Sequence, residues 1–312
     1  MAGQTRKDRV VIVGGGIMGC FVAWFLRRQG FIGEITVIEK DPTYGFCSTA
    51  LSAASIRTQF GTPLNVRMSL FGTEFIRGIK DIFGPSADVG FTEKGYLILG
   101  GVGSAEMRRA GAEMQCAQGA DVVALTPWQV ETRFPWLSAE GIEIGTFGVA
   151  NEGWFDAWSL LGLVRSAARD MNVRYLTGRV EDFDLDDAGV RAVRLASGDR
   201  LPCDWCVMAA GAASGALTAL MGQPLPVSPR KRTVFCFRAP LQADNFPMLF
   251  DSSGIWVRPE GGGFIGGVQP PAERDVDATG DFEPDHSLME DVFWPALASR
   301  IPAMEALRLD RA

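Results

Sequence analysis

The sequence predicts an α/β fold with two structural units, one organised around a parallel β-sheet and a second, α+β unit built on an antiparallel sheet. A β-branched run at residues 10–13 ends in glycine and leads into a helical pattern and another strand-like run, the order expected of parallel strands. Beyond residue 226 the pattern changes to short strands separated by Pro, Gly and Asp, which is typical of antiparallel sheets. The length of 312 residues corresponds to about two domains.

The N-terminal elements form one βαβ unit. The patterns predict a strand at residues 10–13, a helix at residues 17–29 and a second strand at residues 35–39. The helix carries two arginines in its last turn and ends at Gly30, as helices commonly do.

The remaining elements follow from the same periodicities. Residues 190–195 and 201–210 are predicted to pair as a hairpin. The helix that begins at Thr62-Pro63 carries a long apolar stripe: Leu64, Met68, Phe71, Phe75, Ile79 and Ile82. Helices are predicted at residues 62–84, 104–118, from 126 onwards, and 156–171, and strands at 91–99, 173–176, 234–238, 248–250, 255–257 and 264–265.

The composition excludes several functional classes. The chain has 30 basic and 37 acidic side chains, a formal net charge of −7, whereas a non-specific nucleic-acid-binding protein needs a basic face. The single histidine excludes most histidine-based metal sites, and we expect no metal. A content of 47% hydrophobic and 21% charged residues is that of a globular protein rather than a disordered one.

The charge-free stretch at residues 10–26 resembles a membrane span or a signal peptide. A spanning helix needs about 20 apolar residues, and this stretch is shorter and contains three consecutive glycines. No small-residue cleavage site follows it. We therefore expect no transmembrane segment and a cytoplasmic location.

Six cysteines are too few for a disulfide scaffold in a chain of this length. Cys203 and Cys206 form a Cys-x-x-Cys pair within an apolar, strand-like run. Two buried thiols on opposite faces of a strand are the interpretation we favour, and a redox pair is the alternative.

The segment from Gly14 to Gly19 matches the Gly-x-Gly-x-x-Gly pattern of dinucleotide-binding units. It lies directly between the first predicted strand and helix, and Glu39 follows at the end of the next strand. Gly14 allows the tight turn, Gly16 lets the backbone approach the pyrophosphate, and Gly19 lets the helix pack closely on the strand. The N–H groups at Ile17 and Met18 would bind phosphate, and Glu39 would bind the adenosine ribose and repel a 2′-phosphate, which disfavours NADP.

This pattern does not distinguish FAD from NAD, but the following segment resembles a flavin motif. Glu39-Lys40 leads into Ser48-Thr49-Ala50-Leu51-Ser52-Ala53-Ala54-Ser55-Ile56-Arg57, which is similar to the second flavin motif of the D-amino-acid oxidase-like (DAO) FAD oxidoreductases. The resemblance implies that Lys40, Ser48, Thr49 and Ser52 belong to the FAD site. Many relatives have Gly-Gly where this chain has Ala53-Ala54.

Later segments extend the same resemblance. Val180, in Gly178-Arg179-Val180, resembles the valine whose main chain meets the adenine, and Ala210 and Gly211 lie in a segment similar to the family's strand-to-turn contact with the cofactor. The segments at residues 151–156, 229–232 and 254–259 resemble the subgroup containing the mitochondrial FAD-dependent oxidoreductase linked to complex I assembly. Sarcosine oxidase and dimethylglycine dehydrogenase are members of the wider family.

The resemblance implies a discontinuous organisation. We expect a Rossmann-like FAD-binding domain at residues 1–83 and 150–220 and a substrate domain at residues 84–149 and 221–312. Family members continue into a glycine- and histidine-containing segment that covers the flavin, and this sequence stops before it. We therefore expect the sequence to be a fragment that lacks the C-terminal part of the FAD domain.

The family's reaction is oxidation of a C–N bond, with hydride transfer to flavin N5, and the resemblance implies a secondary amine or amino acid as substrate. Arg57 is the first candidate for a catalytic cation near the flavin and the substrate carboxylate, with Arg258 and Trp256 as substrate-binding candidates. Both arginines are alternatively surface residues in ordinary ion pairs. Residues 263–267 contain no lysine where the sarcosine oxidase branch has one near N5, which favours a dehydrogenase with an electron-acceptor protein or quinone as partner. The alternative functions are a 2-hydroxy-acid dehydrogenase and a flavin-bearing assembly factor for a respiratory complex.

Overall fold

The computed structural model describes residues 8–242 and 244–312, so the first seven residues of the predicted FAD domain lie outside the described part. The helices are α1 (Ile17–Arg28), α2 (Pro63–Arg77), α3 (Ile79–Phe83), α4 (Ala105–Ala117), α5 (Pro127–Arg133), α6 (Ala157–Asp170), α7 (Ser214–Leu220) and α8 (Trp294–Arg300). Short 3₁₀ segments occupy Gly211–Ala213, Ala272–Arg274 and Pro302–Ala306, and Met289–Phe293 is a π-helical turn.

The strands alternate with these helices in the N-terminal half and then follow one another. They are β1 (Arg9–Val13), β2 (Glu34–Glu39), β3 (Ser55–Ile56), β4 (Tyr96–Gly101), β5 (Val122–Leu125), β6 (Ile142–Gly148), β7 (Gly153–Trp154), β8 (Arg174–Thr177), β9 (Val180–Asp186), β10 (Gly189–Leu195), β11 (Arg200–Pro202), β12 (Trp205–Met208), β13 (Val234–Arg238), β14 (Met248–Phe250), β15 (Ile255–Glu260), β16 (Gly263–Val268) and β17 (Arg308–Arg311).

The N-terminal sheet is parallel, with the strand order β12-β1-β2-β8. Because successive side chains of a strand point to opposite faces, β1 serves two cores. Val10 and Ile12 pack against α1 and α6, whereas Val11 and Val13 pack against the antiparallel sheet β11-β10-β9. A parallel sheet covered on both faces explains the continuous apolar run of β1.

The second sheet is large and mixed, with the order β17-β13-β16-β15-β14-β4-β6-β5. Its neighbours pair antiparallel except β4 and β14, which run parallel. Phenylalanines from β13, β16 and the π-helical turn fill the core between this sheet and α8. The predicted combination of a parallel sheet with an antiparallel-type sheet is confirmed, and so is the α/β fold class.

Three element predictions were wrong in detail. Residues 201–210 form two strands rather than one, since β11 pairs with β10 while β12 joins β1 across the parallel sheet. The strand predicted at 91–99 begins only at Tyr96, after Gly95 in the left-handed conformation (φ 78°). The helix predicted over residues 62–84 breaks at Gly78, which ends α2 by donating its N–H to Glu74.

The first half of the apolar stripe predicted for this helix does not face the core, whereas Phe75, Ile79 and Ile82 pack against it. Leu64, Met68 and Phe71 are 57–62% exposed, whereas Val66, Thr73 and Ile76 are the buried residues of α2. The position of α2 against its neighbours therefore decides which face is covered, and the apolar spacing alone does not.

Candidate active site

The glycine turn between β1 and α1 is forced by close packing. Gly14 has a φ of 103°, and a Cβ atom there would lie 2.3 Å from the carbonyl oxygen of Ala209. A Cβ atom at Gly19 would lie 1.9 Å from the carbonyl oxygen of Gly14. These two positions accept only glycine, in the roles that the sequence pattern assigns to them.

Gly16, in contrast, leaves room for a Cβ atom. A Cβ atom there would lie 3.4 Å from Thr49 Oγ1 and 3.5 Å from Cys47 Sγ, both ordinary contacts. The Ile17 N–H, in the first turn of α1, donates to Thr49 Oγ1 at 3.2 Å, and Met18 is 67% exposed. The helix N-terminus therefore opens onto a cradle that a side chain at position 16 would fill, which fits a pyrophosphate bound by backbone N–H groups.

Glu39 lies over the glycine turn at the end of β2. Its Oε2 accepts the Gly15 N–H at 2.8 Å and its Oε1 accepts the Asp41 N–H at 2.9 Å. The Gly178 N–H donates to the Glu39 carbonyl, which brings Val180, at the start of β9, to the same end of the sheet. The residues predicted to contact the ribose and the adenine, Glu39 and Val180, thus lie together at the carboxyl ends of the parallel strands, where doubly wound folds bind nucleotides.

The other predicted cofactor residues differ in their surroundings. Lys40 and Ser48 are exposed, and Ser52 Oγ accepts the Ala54 N–H at 2.9 Å. Ala210 and Gly211 follow β12 and lie against the glycine turn, since a Cβ atom at Gly14 would be 2.9 Å from the Ala210 Cα. Gly211 itself has a φ of 57°. The residues present therefore fit the adenosine and pyrophosphate parts of FAD.

Arg57 lies in a cavity of about 290 Å³ directly after β3. Its guanidinium carbon is 4.9 Å from the centre of the Phe60 ring and 5.8 Å from that of Phe250. It forms no ion pair with any carboxylate of residues 8–242 and 244–312. The cavity is lined by Ser55, Ile56, Arg57, Phe60, Ser69, Tyr96 and Phe250.

Tyr96 forms part of this cavity wall and stacks on Phe250, with ring centres 5.6 Å apart. Burial raises the pKa of Tyr96 to about 12, so its hydroxyl stays protonated at neutral pH. Tyr96 can therefore donate a hydrogen bond there but cannot act as a base.

Arg258 lines a second cavity, of about 620 Å³. Its side chain is 5% exposed, ion-paired with Glu260, and donates from Nη2 to the Ala53 carbonyl at 3.0 Å. Its Nε is buried without a hydrogen-bond partner, and its guanidinium lies 5.4 Å from the Trp154 ring centre. Arg258 thus ties β15 to the flavin-motif segment. Trp256, on the same strand, is half-buried against the aromatic cluster that contains Tyr96.

Glu152 was not among the predicted site residues, although it lies in the conspicuous segment Asn151-Glu152-Gly153-Trp154. It is fully buried, and its carboxylate accepts hydrogen bonds from residues 58 and 59, directly after Arg57. Burial raises the pKa of this carboxyl, opposed by those hydrogen bonds. The available signal was a single acidic residue within this segment, but its partners lie 94 and 93 positions away in sequence.

Comparison with known proteins identifies the family. The model of the DAO family, described as FAD dependent oxidoreductase, matches residues 9–312. The chain belongs to the DAO family. It is 36% identical to FAD-dependent oxidoreductase domain-containing protein 1 of Bos taurus over 353 aligned positions, which cover 98% of this chain and 71% of that protein. It is 25% identical to glycine oxidase of Geobacillus kaustophilus, with 89% of this chain and 74% of that protein covered.

A solved structure shares the fold of this chain. L-proline dehydrogenase from P. horikoshii superposes with a TM-score of 0.81 at 23% identity, covering 98% of this chain and 80% of that one. The predicted resemblance to the DAO family is confirmed, and FAD is the cofactor of this oxidoreductase.

The described residues contain no group of His, Cys, Asp and Glu side chains that could hold a metal ion. In the same part of the chain, no helix has the length and apolar character needed to cross a membrane. Cys203 is buried and Cys206 is half-buried, and burial raises the pKa of both thiols, that of Cys206 to about 12. The prediction of two buried thiols on opposite faces of one strand was wrong, because Cys203 lies between β11 and β12 and both cysteines pack into the same core cluster.

Proposed function

We propose that this DAO-family chain oxidises the C–N bond of a small secondary amine or amino acid and that Arg57 binds the substrate carboxylate. The observation that carries the proposal is the Arg57 guanidinium, which has no counter-ion among the described carboxylates and lies on the wall of a cavity beside the flavin-motif segment. A cation left without an internal partner at a cavity wall attracts an anionic ligand.

The shape of the cavity supports a small, partly apolar substrate. Phe60 and Phe250 flank the guanidinium and hold its plane, while the cavity volume of about 290 Å³ suits a molecule of the size of an amino acid. A carboxylate bound at Arg57 would direct the rest of such a substrate along the aromatic wall.

The protonation states favour a substrate that binds with a neutral amine. Tyr96 is protonated at neutral pH and the carboxylate of Glu152 is occupied by hydrogen bonds, so neither is positioned as a general base. In the proposed reaction, FAD supplies the acceptor for the hydride that leaves the α-carbon. The amine proton goes to solvent, and water then hydrolyses the imine.

We propose a supporting part for Arg258 and Trp256. Both terminal nitrogens of Arg258 are already bonded, to Glu260 and Ala53, and its Nε is buried, so Arg258 would act by holding the flavin-motif segment at the wall of the larger cavity. Trp256 would close the aromatic wall next to Tyr96.

We further propose that the enzyme is a dehydrogenase that passes electrons to another acceptor rather than a fast oxidase. Support comes from β16, which carries Phe264 into the larger cavity and contains no lysine. Lys94 lines the same cavity from the loop before β4, so the rate at which oxygen reoxidises the reduced enzyme is the direct test.

The test of the reaction is anaerobic reduction of the purified flavoprotein, followed by visible absorbance. We expect sarcosine and proline to bleach the flavin, while dimethylamine and pyrrolidine, which lack the carboxylate, react far more slowly. Arg57→Met should raise KM for the amino acids by about 10- to 100-fold, since it removes a charge-assisted pair worth about 1.5–3 kcal/mol. Arg67→Met, on the exposed face of α2, is the matched control and should leave KM unchanged.

Two results would contradict this proposal. Bleaching by lactate or another 2-hydroxy acid, but by no amine, would assign the site to hydroxy-acid oxidation instead. Equal KM values for Arg57→Met and the wild-type protein would remove Arg57 from the site.

A further inference from the structure

We propose that Glu152 is a positioning residue that orients Arg57, an inference that rests on the proposed function of Arg57. Glu152 Oε1 accepts the Thr58 N–H at 2.6 Å, the Thr58 hydroxyl at 2.7 Å and the Gln59 N–H at 3.1 Å. Its Oε2 accepts from Gln59 Nε2 at 2.9 Å. One carboxylate therefore accepts a backbone N–H and a side-chain donor from each of the two residues after Arg57.

Burial of the Glu152 carboxylate costs free energy that an apolar side chain filling the same space would not. Glu152 is 0% exposed, and no lysine or arginine of the described chain forms an ion pair with it. All of its partners are neutral dipoles, so an isolated negative charge is held in the interior, which is unfavourable unless its hydrogen bonds are complete. An apolar residue would fill the same space without this cost but would release residues 58 and 59.

The surroundings are shaped around the carboxylate. A Cβ atom at Gly148 would lie 1.8 Å from Glu152 Oε2, and the Gly95 N–H donates to the Glu152 carbonyl at 3.0 Å. The Gln59 side chain also donates to the Tyr96 carbonyl at 3.1 Å, so the same cluster extends to the tyrosine of the cavity wall.

The consequence for Arg57 is a backbone fixed on both sides of its Cα, since Ile56 on its N-terminal side pairs with Gly153 of β7. Its own carbonyl accepts a hydrogen bond from the Ser69 hydroxyl, and the next two residues are held by Glu152. Only the side-chain torsions of Arg57 remain free, and Phe60 and Phe250 restrict those. Glu152 thus fixes the point from which the guanidinium reaches the substrate.

The experiment compares Glu152→Gln with Glu93→Gln in the holoenzyme, with all rates normalised to bound flavin. Glu93 is the matched control because it accepts the Asn151 N–H at 2.7 Å on the same loop but lies at the surface. We expect Glu152→Gln to raise KM for sarcosine or proline by about 10- to 100-fold with a smaller change in kcat, the effect of misplacing a substrate-binding group. Benzoate, titrated through its perturbation of the flavin spectrum, should bind more weakly by a similar factor.

The distinguishing measurement is the reaction of pyrrolidine, which has no carboxylate. Its kcat/KM should be unchanged in Glu152→Gln, since misplacing Arg57 matters only for an anionic substrate, whereas general damage to the fold would slow both substrates. Equal losses for proline and pyrrolidine, or an unchanged KM for proline, would overturn the inference.

Two further variants keep the inference testable if Glu152→Gln does not fold. Thr58→Val removes one hydrogen bond to the carboxylate at nearly constant volume, and Gly148→Ala displaces the carboxylate without changing its charge. Both should raise KM for proline and spare pyrrolidine, and failure of both to do so would refute the role of Glu152. If the wild-type flavin responds neither to amino acids nor to benzoate, the proposed function itself fails and the role of Glu152 fails with it.

Discussion

Alanine substitutions at Gly16 and Gly19, made separately, should affect different properties of the glycine turn. Gly16→Ala should weaken FAD binding, whereas Gly19→Ala should lower the stability of the fold. At Gly19 the new Cβ atom would start 1.9 Å from the Gly14 carbonyl oxygen. An ordinary carbon–oxygen contact is about 3.3 Å, so α1 and the turn must move apart by about 1.4 Å. Such overpacking costs about 1–3 kcal/mol.

The alanine at Gly16 meets different surroundings. Its Cβ atom would lie 3.4 Å from Thr49 Oγ1, and the backbone there, with φ −65° and ψ −174°, is allowed for alanine. Stability of the flavin-free protein should therefore change by less than about 0.5 kcal/mol. The added methyl group occupies the cradle at the helix N-terminus, and loss of one charge-assisted hydrogen bond to a phosphate weakens FAD binding by about tenfold or more.

The assay is thermal unfolding of the flavin-free variants, followed by titration with FAD through quenching of its fluorescence. Gly19→Ala should lower Tm by about 3–10 °C, while Gly16→Ala should melt with the wild-type protein. If Gly16→Ala binds FAD as tightly as the wild type does, the cradle is not the pyrophosphate site. If Gly19→Ala melts normally, the close contact between α1 and the turn is not a constraint on the fold.

Three further outcomes follow from the structure. Gly162→Ala should raise the free energy of unfolding by about 0.5–1 kcal/mol in urea titrations, because the exposed position lies inside α6 and a Cβ atom there meets nothing within 4 Å. Arg300→Leu should lower it by about 3–5 kcal/mol, because it leaves the buried Asp251 carboxylate without the partner now 2.6 Å away; a loss below 1 kcal/mol would argue against this. Burial raises the pKa of all three tyrosines, that of Tyr96 to about 12, so above pH 10 the folded state binds more protons than the unfolded state. The free energy of unfolding should therefore fall as the pH rises through this range. Tyrosinate absorbance should appear at lower pH in guanidinium than in the native protein.

The features predicted correctly depend on contacts between residues that are close in sequence. Gly19 packs against the Gly14 carbonyl and Glu39 accepts the Gly15 N–H, contacts within one βαβ unit, although the carbonyl that excludes a side chain at Gly14 belongs to Ala209. The N-cap at Asp156 is equally local, since its carboxylate accepts the Trp158 N–H at 2.9 Å. The family resemblance was carried by segments of this kind.

The errors arose where the partner of a segment decides its structure. Residues 201–210 form one continuous apolar run, but the first part pairs with β10 and the second with β1, and no local pattern records that change. The stripe on α2 has the spacing of a buried face, yet Leu64 and Met68 are exposed because other residues of the helix meet the core.

The sequence by itself determined the parallel βαβ unit, the glycine turn, the family and the cofactor, because each depends on residue types at short, fixed spacings. Only the tertiary structure decided the surroundings of the two arginines. It places Arg57 beside Phe250 without a carboxylate partner among the described residues, and it ties Arg258 to Ala53. It also brings Glu152 to residues 58 and 59. Partners separated by about a hundred or more positions meet only when the sheets pack, and the electrostatics of a buried charge depend on those partners rather than on its neighbours in sequence.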